Sequence, residues 1–276
     1  MNTVATRIIW HAKQDPAVRR RALTPRRREV LVSVFSPAIV LIAWEALVRA
    51  GLLDARFFPA PSSIVGTFVA VTASGELWRH LYTSLSRIAV GYVMGAVPAL
   101  VLGLVLGLSR LARAFASPII YALYPVPKVA ILPLVMLIFG LGEMSKYVII
   151  AIAVFFLVIL NTMAGVVQID RIYFDVAKNF NASRHDFYVN VVLRGALPAI
   201  FTGLKLAMGV ALIVLVTAEF VGARAGLGVM IYESWQVFAI ERLFVGLVMV
   251  SFLGYSLSLL IDELQRLLVP WQRDRS

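Results

Sequence analysis

The chain has 276 residues, of which 61% are hydrophobic and only 15% charged, and its mean hydropathy is +0.87. A soluble domain is roughly 45–50% apolar and about 25% charged, so lipid is the solvent that this composition requires, and a soluble enzyme, a disordered chain and a collagen-like fibre are excluded. The absence of cysteine excludes disulfides, thiolate catalysis and Cys-ligated metal or iron–sulfur sites. The formal net charge of +11 is the signature of cytoplasmic Lys and Arg in a membrane protein rather than of nucleic-acid binding.

In chain order, a basic tail (residues 1–29) precedes a membrane domain (residues 30–276). The tail carries Arg7, Lys13, Arg19, Arg20, Arg21, Arg26, Arg27 and Arg28. It either fixes orientation against anionic lipid or serves as a regulatory or partner-binding arm. A crossing helix takes about 20 apolar residues, and the sequence offers about six transmembrane spans in an all-α, polytopic fold. They are Val30–Val48, Ile88–Ser109, Ala114–Gly142, Tyr147–Ile169, Gly195–Val221 and Leu243–Ile261. The distribution of basic residues places both termini in the cytoplasm, together with Arg110, Arg113 and the loop 170–194.

Gly91, Gly95, Ala99, Gly103 and Gly107 recur every fourth residue along the second span, a flat face for close helix packing. Gly203, Ala207 and Ala211 form a shorter version in the fifth. The third span is interrupted by Pro118, Pro125, Pro127 and Pro133, each of which removes a backbone donor. Broken backbone at membrane depth survives where protein or a cavity covers it. Pro125, Pro127 and Lys128 therefore either line a translocation path or mark a helix that ends and restarts near the interface. Glu219, in the fifth span, is either a functional acid of that path or a hydrated or paired structural residue. Lys205 lies close enough to a span end to snorkel toward headgroups.

The loop 170–194 is too charged for lipid and too apolar for a linker. Ile172, Val176 and Phe180, then Phe187 and Val191, fall near helical spacing. Asp170 is a helix cap, Asn181 suits a left-handed end, and Ser183 with Asp186 reads as a capping box. The expectation is two short helices meeting at a sharp bend near Asn181, forming a docking knob for another protein.

This loop resembles the signature of permeases of ATP-binding-cassette importers: Glu-Ala-Ala, three residues, Gly, nine residues, then Ile-x-Leu-Pro. Asp175, Val176 and Ala177 stand for the first three positions, Asn181 for the glycine, and Val191, Leu193 and Arg194 for the last. Pro125-Val-Pro-Lys128, Phe139-Gly-Leu-Gly-Glu-Met-Ser-Lys146, Phe58-Pro-Ala-Pro-Ser-Ser63, Ser84-Leu-Ser-Arg-Ile-Ala-Val-Gly91 and Ala218-Glu-Phe-Val-Gly222 before Gly226-Leu-Gly228 look like the nitrate/sulfonate/taurine branch.

The resemblance implies a type I importer permease in the bacterial inner membrane, acting as a homodimer of two copies of the chain. Its implied partners are a cytoplasmic ATPase dimer, which binds ATP and Mg, and an extracytoplasmic solute-binding protein. This chain itself has no Walker A sequence and would hold no cofactor. Asp175, Val176, Ala177, Lys178, Phe180 and Asn181 would contact the ATPase, the apolar side chains supplying fit and Asp175 and Lys178 orientation. A small anion is the first substrate implied, with a pyrimidine or vitamin precursor second. An intramembrane enzyme is disfavoured because the spans show neither a metal-ligand cluster nor a Ser/His pair nor paired acids. A stand-alone carrier would leave the loop without a purpose.

Overall fold

A computed structural model of the chain describes residues 25–271, with side chains from residue 35 onward. The tail up to residue 24 lies outside the described residues, as do the side chains of Arg26, Arg27 and Arg28. Every described element is helical. Contacts divide the chain after Ala55, and the first unit is described by itself. It holds α1 (Pro25–Arg49), a helix with Pro37 inside it. Glu45 accepts a 2.6 Å hydrogen bond from Arg49 Nε one turn on. The expected span Val30–Val48 lies within this helix, and the side chains of its first residues lie outside those described.

The second unit is built around three long helices: α3 (Glu76–Leu108), α6 (Glu143–Val167) and α9 (Arg194–Phe220). The middle one, α6, packs along both of the others. The glycine stripe explains how closely. A Cβ built on Gly91 would lie 2.7 Å from Ile150 Cβ, and one on Gly103 would lie 2.6 Å from Thr162 Cβ, distances at which something must shift. Gly95 meets the backbone of Ala151, Gly107 meets Val166, and Ala99 is fully buried. The stripe is thus the face that α3 turns to α6, running parallel to it. On the other side, Gly165 faces Ala196 and Ala199, and Gly203 faces Asn161, so α9 runs antiparallel to α6. The core these faces enclose includes Ile149, Val154, Val158, Ala207, Ala211 and Leu215.

Around this trio stand α2 (Pro61–Ala73), α10 (Leu227–Gln236) and α11 (Ile240–Leu268). Gly246 of α11 sits against Ile231 of α10, and Gly254 against Leu212 of α9. Two of these elements, α2 and α10, are short helices that lie outside the expected spans.

Two expectations need correction. The second span does not begin at Ile88: α3 starts at Glu76 after Gly75, whose φ of +81° is easy only for glycine. Twelve further residues, among them His80, Ser84 and Arg87, therefore enter the helix. The third span is not one rod. The chain forms α4 (Arg110–Leu123), then a short 3-10 turn at Lys128–Ile131, then α5 (Leu132–Phe139). The two halves are bent by 84°. Pro125 and Pro127 supply no backbone donor at the break, while Pro133 stands in the first turn of α5, where none is missed. Among the described residues, four helices are long and apolar enough to cross a membrane, or five if the bent pair is one span.

Candidate functional site

The loop between α6 and α9 folds from its own local chemistry. Asp170 accepts from Ile172 N at 3.0 Å and caps α7 (Arg171–Asn179). The helix ends where Asn181 adopts φ 50°, a left-handed conformation that asparagine tolerates. Ser183 Oγ accepts from Asp186 N at 3.1 Å and donates to the Asp186 carboxylate at 2.6 Å. This opens α8 (Arg184–Asp186), which continues through a π-helical segment, Phe187–Leu193, straight into α9. From Arg184 to Phe220 the helix is unbroken. Arg194, standing where the signature has proline, passes through it with ordinary helical φ and ψ.

One face of α7 is held and the other is offered. Phe174 packs on Phe187, with ring centroids 5.7 Å apart, and both rings rest on the cluster Val166, Val192, Ala196 and Ile200. Outward, Ile172, Val176 and Phe180 form a stripe at every fourth residue, with Tyr173 beside it; Phe180 is 82% exposed. Asp175, Lys178 and Asn181 are exposed as well. Ala177 differs from the other expected contact residues: it is 8% exposed, so its methyl supports α7 from within and is not part of the offered face.

At the opposite end of the bundle the structure assembles a polar cluster that the sequence only half reveals. Arg87 and Glu219 are each almost completely buried. Arg87 Nη1 donates to Glu219 Oε1 at 2.9 Å and to Ala225 O at 2.5 Å. Its Nε and Nη2 grip both oxygens of Glu143 at 2.6 Å each. Glu219 is satisfied further by Ser84 Oγ at 2.7 Å and Gly228 N at 2.7 Å, and Ser84 Oγ accepts from Leu227 N at 2.8 Å. His80 Nδ1 lies 2.7 Å from Gly226 O and 3.1 Å from Gly226 N.

The Gly226-Leu227-Gly228 motif follows from this geometry. Gly226 has φ +135°, and any Cβ there would collide with the Glu219 carboxylate; one on Gly228 would lie 2.8 Å from Glu219 Cβ. A buried ion pair stabilises only if its remaining valences are filled, and here serine and backbone donors fill them. The cluster ties α3, α6, α9 and the start of α10 together. Beside it, Lys146 is buried and donates to Leu141 O at 2.7 Å and Gly142 O at 3.0 Å, holding the turn between α5 and α6.

The expected path residues are therefore not brought together. Glu219 belongs to the packed interior, as a paired residue without a hydrated surface. Pro125, Pro127 and Lys128 share the bend after α4. Lys128 Nζ donates to Leu123 O at 3.3 Å and Val126 O at 2.9 Å, and also to Tyr124 O. It lies 4.7 Å from the Phe156 ring centroid, within cation–π reach. Lys205 pairs with Asp262 of α11, and both side chains stay partly exposed. The missed partner was Arg87, whose signal was a lone arginine on the apolar side of Ser84 facing a lone acid in another span.

Residues 99–274 match the family described as "Binding-protein-dependent transport system inner membrane component", well over half of the chain. The chain belongs to this family. It is an inner-membrane permease of an ATP-binding-cassette importer. It is 32% identical over 252 residues to the taurine transport system permease protein of Escherichia coli K12, covering 90% of this chain and 92% of that protein. It is 34% identical over 236 residues to a Bacillus subtilis 168 protein named as an aliphatic sulfonates transport permease, covering 86% of each. A nitrate import permease protein of Leptolyngbya laminosa is 32% identical over 199 residues, 72% of this chain and 71% of that protein. The permease also superimposes on a chain of the MetNI methionine ABC transporter in an inward-facing conformation with TM-score 0.61, covering 71% of this chain and 98% of that one at 17% identity. That likeness fixes the type I permease fold.

Proposed function

We propose that two copies of this permease form the translocation path for a small anion of the sulfonate, taurine or nitrate class, driven by a separate ATPase that grips the 170–194 loop. The relatives named for taurine, aliphatic sulfonates and nitrate support the substrate class. The observation that carries the coupling is the exposed stripe Ile172, Val176 and Phe180 on a helix anchored from behind by Phe174. A soluble face of that kind is depleted of water when a groove closes over it, and Asp175 and Lys178 at its edge set orientation.

In this reading the loop end of the bundle and both termini face the cytoplasm, where the partner ATPase binds ATP and Mg. The end carrying Arg87 and Glu219 faces outward, toward a solute-binding protein. Closure of the ATPase dimer pushes α7, and the body of the bundle follows because α7 is clamped to α6 and α9. The test is uptake in proteoliposomes holding the permease, its ATPase and its binding protein. Taurine, an alkanesulfonate or nitrate should accumulate only with ATP and with all components present. Uptake that persists without the ATPase overturns the proposal.

A further inference from the structure

Beside the bend lies a cavity of about 560 Å³, walled by Met94 and Gly95 of α3, by Val148, Ile152, Phe155 and Phe156 of α6, and by the bend itself, including Lys128. Its wall is apolar except for that one ammonium, and its volume is within the range of small-ligand sites, about 300–1,000 Å³. Phe156 stands about midway along α6 (Glu143–Val167), so Lys128 sits near the middle of the membrane-crossing body. A cation at the centre of a bilayer costs about 2.5–3.5 kcal/mol or more and is a mark of function.

Two other charges in the body have carboxylate partners, and Lys146, held by the carbonyls of Leu141 and Gly142, lies beside the Arg87 cluster. Arg87 has two carboxylates and Lys205 has Asp262. Among the described residues, no carboxylate lies within ion-pair distance of Lys128. Its bonds to Leu123, Tyr124 and Val126 carbonyls fix its position and leave its charge uncompensated. A broken helix at this depth is tolerated where it faces a cavity, and discontinuous helices supply ligand sites in transporters.

We infer that this cavity is a subsite for an organic anion with a short alkyl tail, the Lys128 ammonium facing the anionic head and Met94, Ile152 and Phe155 receiving the tail. The inference rests on the import function proposed above, and deepens it by naming the form of the substrate: an alkyl sulfonate fits both the charge and the wall. Inorganic nitrate fits the charge alone.

The experiment uses the purified full-length permease in lipid discs of phosphatidylcholine, without ATPase or binding protein, so it succeeds or fails independently of coupled uptake. Thermal stabilisation is recorded with ethane-, butane- and hexanesulfonate, and with butanol and hexanol as uncharged probes. Stabilisation should grow with sulfonate chain length and be weak with the alcohols. The sulfonate concentration needed should rise at least tenfold in Lys128→Met, remain within about threefold in Lys128→Arg, and rise for hexanesulfonate in Ile152→Trp, which fills the cavity and keeps the lysine. Should Lys128→Met not fold, Lys128→Arg and Ile152→Trp decide. Equal response of Ile152→Trp and the parent chain overturns the subsite. So does equal response to alcohols, which marks an apolar void open to acyl chains. Absence of any sulfonate effect, or stabilisation by discs of phosphatidylglycerol alone, overturns it as well, the latter assigning the lysine to a lipid phosphate.

Discussion

Arg87 Nη1 and Glu219 Oε1 meet at 2.9 Å inside the bundle, the arginine 2% and the glutamate 1% exposed. The same guanidinium reaches Glu143, whose side chain is 50% exposed. One arginine thus serves a buried acid and an accessible one, and the two bonds differ in what their loss costs.

Removing one partner of a buried pair strands the other charge, at about 3–5 kcal/mol. Glu219→Gln and Arg87→Met are therefore expected to lower the thermal midpoint of the purified permease severely. Glu143→Gln, at a half-exposed position, should cost about 1 kcal/mol or less. Midpoints measured in one detergent rank the three; equal losses contradict the asymmetry.

The glycine stripe predicts a sharp positional contrast. Gly103→Val forces methyl groups into Thr162, and overpacking of this kind costs about 1–3 kcal/mol. Gly209→Ala, where nothing lies within 4 Å of the added Cβ, should be tolerated. Yield of monodisperse protein after heating distinguishes the two.

Asn181 holds φ 50° at the turn after α7. Asn181→Gly is expected to leave the loop unchanged, whereas Asn181→Val should destabilise it by about 1–2 kcal/mol, the penalty of the left-handed region for a side chain with Cβ. Limited proteolysis at the loop reads this out, with faster cleavage expected only for the valine variant.

Docking of the ATPase separates exposed from supporting residues. Val176→Asp and Phe180→Ala should each reduce substrate-stimulated ATP hydrolysis in the assembled importer about tenfold or more, as the loss of a buried interface anchor does, while the permease keeps its thermal midpoint. Ala177→Asp should lower that midpoint too, because its carboxylate has to be buried under α7.

What the sequence made legible follows from range. The caps at Asp170 and Ser183 and the left-handed Asn181 are local, and each stands where the residue types place it. The stripe from Gly91 to Gly107 is legible because a spacing of four defines a face whatever helix covers it. Arg87 was not: hydropathy treats a charge as the edge of a span, and only a partner 132 positions away allows it inside. Glu219 was visible as an anomaly for the same reason, without any sign of what neutralised it. Pro125 and Pro127 announced a break, yet the 84° turn depends on packing against α6 that no local pattern encodes. Ala177 is named as an ATPase contact by the resemblance alone, and its burial follows from a rotation of α7 that Phe174 and Phe187 set and no local pattern encodes.

The helix from Arg184 to Phe220 runs for 37 residues without interruption, about 55 Å at 1.5 Å per residue. Its angular phase is therefore common to both ends. Adding or deleting a single residue within its α-helical part, α9, would turn everything beyond by about 100°, swinging the carboxylate of residue 219 away from α3 while the loop kept its own contour. The same edit in the non-helical stretch between Phe220 and Leu227 would leave that phase alone. Length within α9 is constrained residue by residue, and a lineage that tolerates indels elsewhere in the bundle should show none there.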